Sequence, residues 1–164
     1  MSVTKTDFFA GMQNLCGSVT LITTHFENRH IGLTATAVCS LCAEPARLLV
    51  CINRKGVSYE AIQKSRVFGV NVLEARHADL AKRFAGMVDI QDEDRFAVGN
   101  WVQSATGAPL LDDALVSFDC EIESVIETGT HGILIGNIKS VSVTDGNPLL
   151  YLNGGFMTNK LIPV

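Results

Sequence analysis

Four places in the chain carry residue types that could do chemistry. His131 stands in Gly129-Thr130-His131-Gly132 at the start of an apolar run. A lone histidine at such a place is ordinarily a turn or surface residue, although an imidazole can also bind a ligand through either ring nitrogen. Asn53 follows Leu49-Val50-Cys51-Ile52. Its amide both donates and accepts, and the backbone of Cys51 and Ile52 can pair with the polar edge of a heterocycle; simple turn chemistry explains the same asparagine. Ser58, with Lys55 three residues before it, opens a stretch of helical spacing whose N–H groups favour an anion such as phosphate. An N-cap beside a solvated lysine is the plainer account, and the two do not exclude each other. Finally, Leu33-Thr34-Ala35-Thr36-Ala37 is a run of small residues that lets a ligand approach the backbone, with two hydroxyls to offer, or else a tightly packed strand.

Cys39-Ser40-Leu41-Cys42 invites a redox or zinc reading. In a regular strand residues i and i+3 point to opposite faces, which opposes both a disulfide and shared chelation, and no second C-x-x-C follows. The pair is expected to be structural, and no metal is expected. The five cysteines form an odd set, several of them within apolar runs, where free thiols act as small buried hydrophobes; reduced thiols fit a cytosolic address.

The elements that must position these residues are mostly strands. Thr6 to Leu15 reads as a short amphipathic helix, capped by Thr6 or Asp7, with Phe8, Phe9, Met12 and Leu15 on one face. Strands are expected at 18–24, 31–38, 48–52 and 67–73, with a polar turn at Glu27-Asn28-Arg29. Val116, Phe118, Cys120 and Ile122 alternate with polar residues, which predicts a strand with one face on the core. Further strands fall at 133–138, 140–143 and 149–152. Helices are expected at 58–65, with Ser58 as N-cap, and at 76–85, where Leu80, Ala81 and Phe84 point inward and Gly86 ends the turn. The stretch 87–111 lacks periodicity. Many short strands with three brief helices argue for a closed β-barrel with peripheral helices rather than a doubly wound sheet.

At 164 residues, 47% hydrophobic and 18% charged, the chain fits a single domain spanning 1–164 with a sizeable core. A net charge of −4 without a basic run excludes the footprint of a nucleic-acid binder. No apolar stretch has the length of a membrane span or follows a basic start as in a signal peptide, so the expected location is the cytoplasm, away from membranes. There is no G-x-G-x-x-G, Walker A or H-E-x-x-H sequence, so any cofactor is held by another device.

Taken in order, Gly32-Leu33-Thr34-Ala35-Thr36-Ala37-Val38-Cys39-Ser40, Leu49-Val50-Cys51-Ile52-Asn53, Gly69-Val70-Asn71-Val72-Leu73 and Gly129-Thr130-His131 resemble the short-chain flavin reductase family. Arg83-Phe84-Ala85-Gly86-Met87, Asp94-Arg95-Phe96, Trp101 and Leu150-Tyr151 extend the resemblance over nearly the whole chain. It is nearest to the branches whose reductases serve 4-hydroxyphenylacetate 3-monooxygenase and pyrimidine-ring cleavage. The resemblance implies a mainly β fold, an FMN-binding split β-barrel of Greek-key type, acting as a homodimer with the flavin near the subunit interface. It implies FMN or FAD as cofactor and NADH or NADPH as co-substrate. Thr34, Ala35, Thr36, Ala37, Ser40, Cys51, Ile52, Asn53, Lys55, Ser58 and Phe84 are then the expected flavin neighbours. His131, Tyr151 and Phe156 border the nicotinamide, although Tyr151 and Phe156 would equally suit core or dimer packing.

The chain departs from the family in two places. Arg54-Lys55-Gly56-Val57 replaces small hydroxyl residues after Asn53, and Asn153-Gly154-Gly155-Phe156-Met157 lacks the family's paired arginines and histidine. The implied reaction moves hydride from nicotinamide to flavin with no catalytic side chain, and reduced flavin then passes to a separate oxygenase. Two other readings keep the barrel: reduction of a bound substrate such as a corrinoid, or a non-catalytic flavin- or haem-binding module.

Overall fold

The protein was analysed as a computed structural model, which describes residues 2–159. The single-domain expectation of 1–164 therefore reaches past the described residues at both ends. The first elements are helix α1 (Lys5–Met12) and strands β1 (Gly17–Ser18), β2 (Thr20–Phe26), β3 (Arg29–Ala35), β4 (Val38–Ala43) and β5 (Ala46–Asn53). Helix α2 (Val57–Ser65), β6 (Val67–Val72), helix α3 (Ala78–Phe84), β7 (Trp101–Gln103) and β8 (Pro109–Leu111) follow. The chain continues with β9 (Val116–Thr128), β10 (His131–Val143), β11 (Leu149–Leu152) and β12 (Gly155–Thr158). Single 3-10 segments cover Ala75–His77 and Asp92–Ala97.

Seven strands form one sheet in the order β3-β2-β6-β9-β10-β5-β4. Its two outer strands, β3 and β4, are consecutive in the chain, joined only by Thr36 and Ala37, and the Ala37 carbonyl accepts the Cys51 N–H at 2.9 Å. A sheet whose edges meet at one corner and part elsewhere is a split barrel. The β2–β3 hairpin turns on Glu27 and Asn28, both left-handed at φ 50° and 60°, the twist that matches paired strands.

Ile22, Val50, Ile52, Phe68, Val70 and Leu134 fill the barrel, and α2 closes one end with Tyr59 and Ile62. A second core around Leu21, Leu73, Leu80, Phe84 and Leu111 fastens α3 and the small sheet β1-β11-β12 to the outside.

Several expectations are corrected. Thr4, not Thr6 or Asp7, caps α1 by accepting the Asp7 N–H, the helix ends at Met12, and none of its residues is buried. The expected strand 31–38 breaks at Thr36–Ala37, where the chain changes edge. Gly56 precedes α2 as its N-cap without a side-chain bond, which places Ser58 inside the first turn. The irregular stretch 87–111 contains the β7–β8 hairpin. In β9 the polar residues Ser117 and Asp119 are as buried as the apolar ones, because the segment before β8 covers the strand's second face. There Asp119 accepts the Thr106 N–H at 2.8 Å and its hydroxyl, and Ser117 donates to the Leu111 carbonyl at 3.0 Å. The separate strands 133–138 and 140–143 are one, β10, with Lys139 slipping out of register as a bulge. Strand β12 was not expected, although Asn153-Gly154, both at positive φ, is a hairpin turn.

The cysteine readings also change. Cys120 is buried and Cys51 half-buried, but Cys16, Cys39 and Cys42 are exposed. A register shift at Leu41 sets Cys39 opposite Leu49 and Cys42 opposite Arg47, two residues apart on β5, so the two thiols share a face. Each donates to a nearby carbonyl, of Ser40 and Pro45 respectively.

Candidate functional site

The resemblance points to residues on β3, β5, β10, β11 and the starts and ends of helices, and three hollows take some of them. The first, about 160 Å³, is walled by Thr34, Ala35 and Thr36 on one side, Ala85 and Met87 beyond α3 on another, and Tyr151 and Phe156 across from them. Tyr151 and Phe156 are register partners in β11 and β12, with ring centroids 5.8 Å apart. The wall is held rigidly from behind. The hydroxyl of Thr20, itself buried, donates to the Ala35 carbonyl at 2.7 Å, and the Thr34 hydroxyl donates to the Ala81 carbonyl of α3, also at 2.7 Å. The Thr34 proton is therefore engaged within the protein, and Thr34 ties β3 to α3. Thr36 and Ala37 are exposed.

The second hollow, about 70 Å³, lies where α2 begins and brings Ser58 together with Arg29, His30, Gly32 and Arg95. Two guanidinium groups, of Arg29 and Arg95, stand beside the first turn of α2. Burial, and then the neighbouring His25, hold the His30 imidazole below the usual histidine range.

The third hollow, about 500 Å³, opens on the far side of the same helix start and takes Arg54, Lys55, Tyr59, Gln63, Glu127 and Thr130. Arg54 pairs with Glu127 at 2.6 Å, and Glu127 also accepts the Tyr59 hydroxyl at 3.1 Å. Burial and the adjacent Glu127 raise the Tyr59 phenol above its ordinary value. Beside this hollow, His131 lies opposite Asn53 across the β10–β5 ladder, and its Nδ1 meets the Thr130 hydroxyl at 2.8 Å.

The expected site residues therefore divide. Thr34, Ala35, Thr36, Tyr151 and Phe156 share one hollow, and Asn53 and His131 share a strand end. The link between the two groups is the corner Thr36–Ala37, bonded to Cys51. Lys55 and Ser58, paired in the sequence reading, line different hollows. Phe84 and Ile52 are 1% and 2% exposed, so their side chains face the cores. Asn53 Oδ1 accepts the Lys55 N–H at 3.0 Å, the turn chemistry weighed for it. Ser40 is exposed on the outer strand β4. Thr20 and Arg29 were missed. Thr20 carried no signal beyond β-propensity, and Arg29, read as part of a polar turn, opens β3 and meets across the hollow residues distant in sequence. Among the described residues no group of three or more His, Cys, Asp or Glu is placed to hold a metal ion.

Comparison with known proteins decides the family. Residues 12–160 match the model of the flavin reductase like domain. The chain belongs to this family. An Acinetobacter baylyi relative named FMN reductase (NADH) RutF is 40% identical over 157 residues, covering 95% of this chain and 82% of its own. A Haemophilus somnus protein assigned to the flavin reductases superposes with a TM-score of 0.91 at 39% identity, covering 96% of this chain and all of its own. The Streptomyces globisporus NADH:FAD oxidoreductase SgcE6, in complex with NAD and FAD fragments, superposes with a TM-score of 0.85 at 25% identity over 97% of this chain and 93% of its own. In the family's frame the Asn71 of the third matching segment is structural. It donates to the Leu21 carbonyl at 3.1 Å and accepts from the Leu111 N–H at 2.7 Å and the Ser117 hydroxyl at 3.1 Å.

Proposed function

We propose that this chain is an NAD(P)H-dependent flavin reductase that oxidises NADH or NADPH, reduces FMN or FAD, and hands the reduced flavin to a separate oxygenase. NADH and FMN are the favoured pair, following the name of the 40% identical Acinetobacter relative. We further propose a homodimer working in the cytoplasm. Among the described residues no helix is long and apolar enough to cross a membrane.

The observation that carries the reading is the meeting of Thr34-Ala35-Thr36 with Tyr151 and Phe156 in one hollow. Small side chains leave the backbone of the Thr36–Ala37 corner open, two aromatic rings offer apolar faces, and polar groups stand at the rim. That donor set fits a flat, polar-edged ring system. When bound, the flavin supplies the hydride acceptor and the nicotinamide the hydride. The chain's own residues then position and shield. Tyr151 and Phe156 would hold the flavin against Thr34, Ala35 and Thr36, and the bonds from Thr20 and Thr34 fix that wall. Ser58, Arg29 and Arg95 suit a phosphate. His131, exposed beside Asn53, is placed to hydrogen-bond a carboxamide or offset pyrophosphate charge. No side chain is needed as nucleophile or general acid.

An aerobic assay of the purified protein with NADH or NADPH against FMN, FAD and riboflavin tests the proposal. Oxidation of NADH with FMN is the expected result, and His131→Ala should raise the apparent constant for the nicotinamide more than that for flavin. No nucleotide oxidation with any flavin refutes the assignment.

A further inference from the structure

We infer that Arg54 is a positioning residue for His131: its guanidinium pins the turn between β9 and β10 that carries His131, and so sets the affinity for the nicotinamide co-substrate; this rests on the reading of His131 given above. The turn cannot hold itself by packing. Thr128 and His131 pair across β9 and β10, which leaves Gly129-Thr130 as a two-residue turn, and Gly129 at φ 51° takes the left-handed first position that such a turn favours. Every residue from Ile126 to His131 is exposed, and an added Cβ on Gly129 would meet nothing within 4 Å. No side chain of the tip enters a core, and a hairpin end without packing opens readily.

What the tip lacks in packing, Arg54 supplies in bonds. The ladder between β5 and β10 ends where Asn53 faces His131, and Arg54 follows at once. Its backbone N–H donates to the Thr130 carbonyl at 2.9 Å. Its guanidinium donates to the Gly129 carbonyl at 3.4 Å and pairs with Glu127 at 2.6 Å, two directions that a rigid fork of donors can serve together. Glu127, Gly129 and Thr130 are thus all held by one residue. Behind them stands α2. Glu127 also accepts the hydroxyl of Tyr59, Gln63 donates to the same hydroxyl at 2.9 Å, and Tyr59 is 4% exposed. The Tyr59 ring lies against the backbone immediately after His131, where a Cβ on Gly132 would stand 2.3 Å from it.

Thr130 passes this order to the imidazole. Its hydroxyl meets His131 Nδ1 at 2.8 Å, which fixes the ring and leaves Nε2 for a ligand. A turn that shifts takes the imidazole with it. The Arg54 and Glu127 side chains are 40% and 46% exposed, and a pair that open adds little to global stability. Its effect is local, on the residue beside it that binds.

A double-mutant cycle of Arg54→Ala and His131→Ala, assayed by NADH oxidation with FMN, tests the inference, together with hydrogen exchange of the segment 126–132 in the cofactor-free protein. Arg54→Ala should raise the KM for NADH about five- to tenfold and leave kcat and the FMN constant within about twofold. Its melting temperature should fall by less than about 4 °C. In the His131→Ala background the same substitution should change the KM for NADH by less than about twofold, because the group it positions is gone. Exchange at the tip should quicken about tenfold in Arg54→Ala while the core strands stay as slow as before. Equal effects of Arg54→Ala with and without His131 would mean that the guanidinium meets the dinucleotide itself, and unchanged exchange would mean that it does not hold the turn; either result overturns the inference. A chain that reduces no flavin strikes the reductase reading instead, and the exchange result then still decides whether Arg54 holds the turn.

Discussion

Thr34→Val separates two roles that the sequence could not distinguish, flavin contact and internal positioning. Valine keeps the shape and removes one hydroxyl, whose 2.7 Å bond to the Ala81 carbonyl joins β3 to α3. Ala81 also accepts the Ala85 N–H at 3.0 Å, so its carbonyl keeps a partner. The loss is then that of one partly buried hydrogen bond, about 1 kcal/mol, which lowers the melting temperature of a domain this size by roughly 2–4 °C. Because Thr34 and Ala85 face each other across the hollow, the loosened tie should also weaken FMN several-fold, and Thr34→Ser, which restores the hydroxyl, should recover both properties together. Thermal unfolding without ligand and fluorescence titration with FMN measure the two effects on the same samples. A Thr34→Val chain with unchanged melting but FMN binding weakened a hundredfold would refute the positioning role and return the hydroxyl to the flavin.

Ser58→Ala should weaken FMN more than riboflavin, which lacks the phosphate, whereas Lys55→Ala, in the neighbouring hollow, should affect both flavins alike; paired titrations check this, and the reverse pattern would move the phosphate to Lys55. Asn71→Leu leaves the buried Leu111 N–H unpaired and should cost about 2–4 kcal/mol, read by urea unfolding. Burial, with the adjacent Asp119, pushes the Cys120 thiol from the ordinary 9.0 up to about 12. The unfolded chain then releases this proton first, so stability present below pH 9 should fall by up to about 1.4 kcal/mol per pH unit between pH 9 and 12. Cys120→Ala should flatten that part of the urea-unfolding profile, and an unchanged slope would contradict the assignment.

The strands and helices were legible where one face meets a core and the other meets water. Val116 to Ile122 shows the limit, since alternation located β9 but could not reveal that the segment before β8 would bury Ser117 and Asp119 as well. Phe8, Phe9 and Met12 carry the expected helical stripe, yet no residue of α1 is buried, because spacing marks an apolar face without saying what covers it. At the candidate site, the resemblance names Thr34–Ala37, Asn53, His131 and Tyr151, and linear order does not say how each side chain is used. Thr34 turns its proton to Ala81, Phe84 turns its ring to the second core, and Lys55 and Ser58 are parted by three-dimensional placement that linear spacing does not encode. The missed strand β12 had a readable signal in Asn153-Gly154, obscured by the glycine that follows.

The central claim is that this barrel aligns a flavin with a nicotinamide. Stopped-flow mixing of NADH with the anaerobic protein and FMN measures it most directly, through the visible absorbance of the oxidised flavin, a signal that belongs to the cofactor rather than to the protein. The account predicts bleaching that saturates with NADH and slows markedly at equal NADH in His131→Ala. Flavin that stays oxidised on that timescale in the wild-type protein would contradict it.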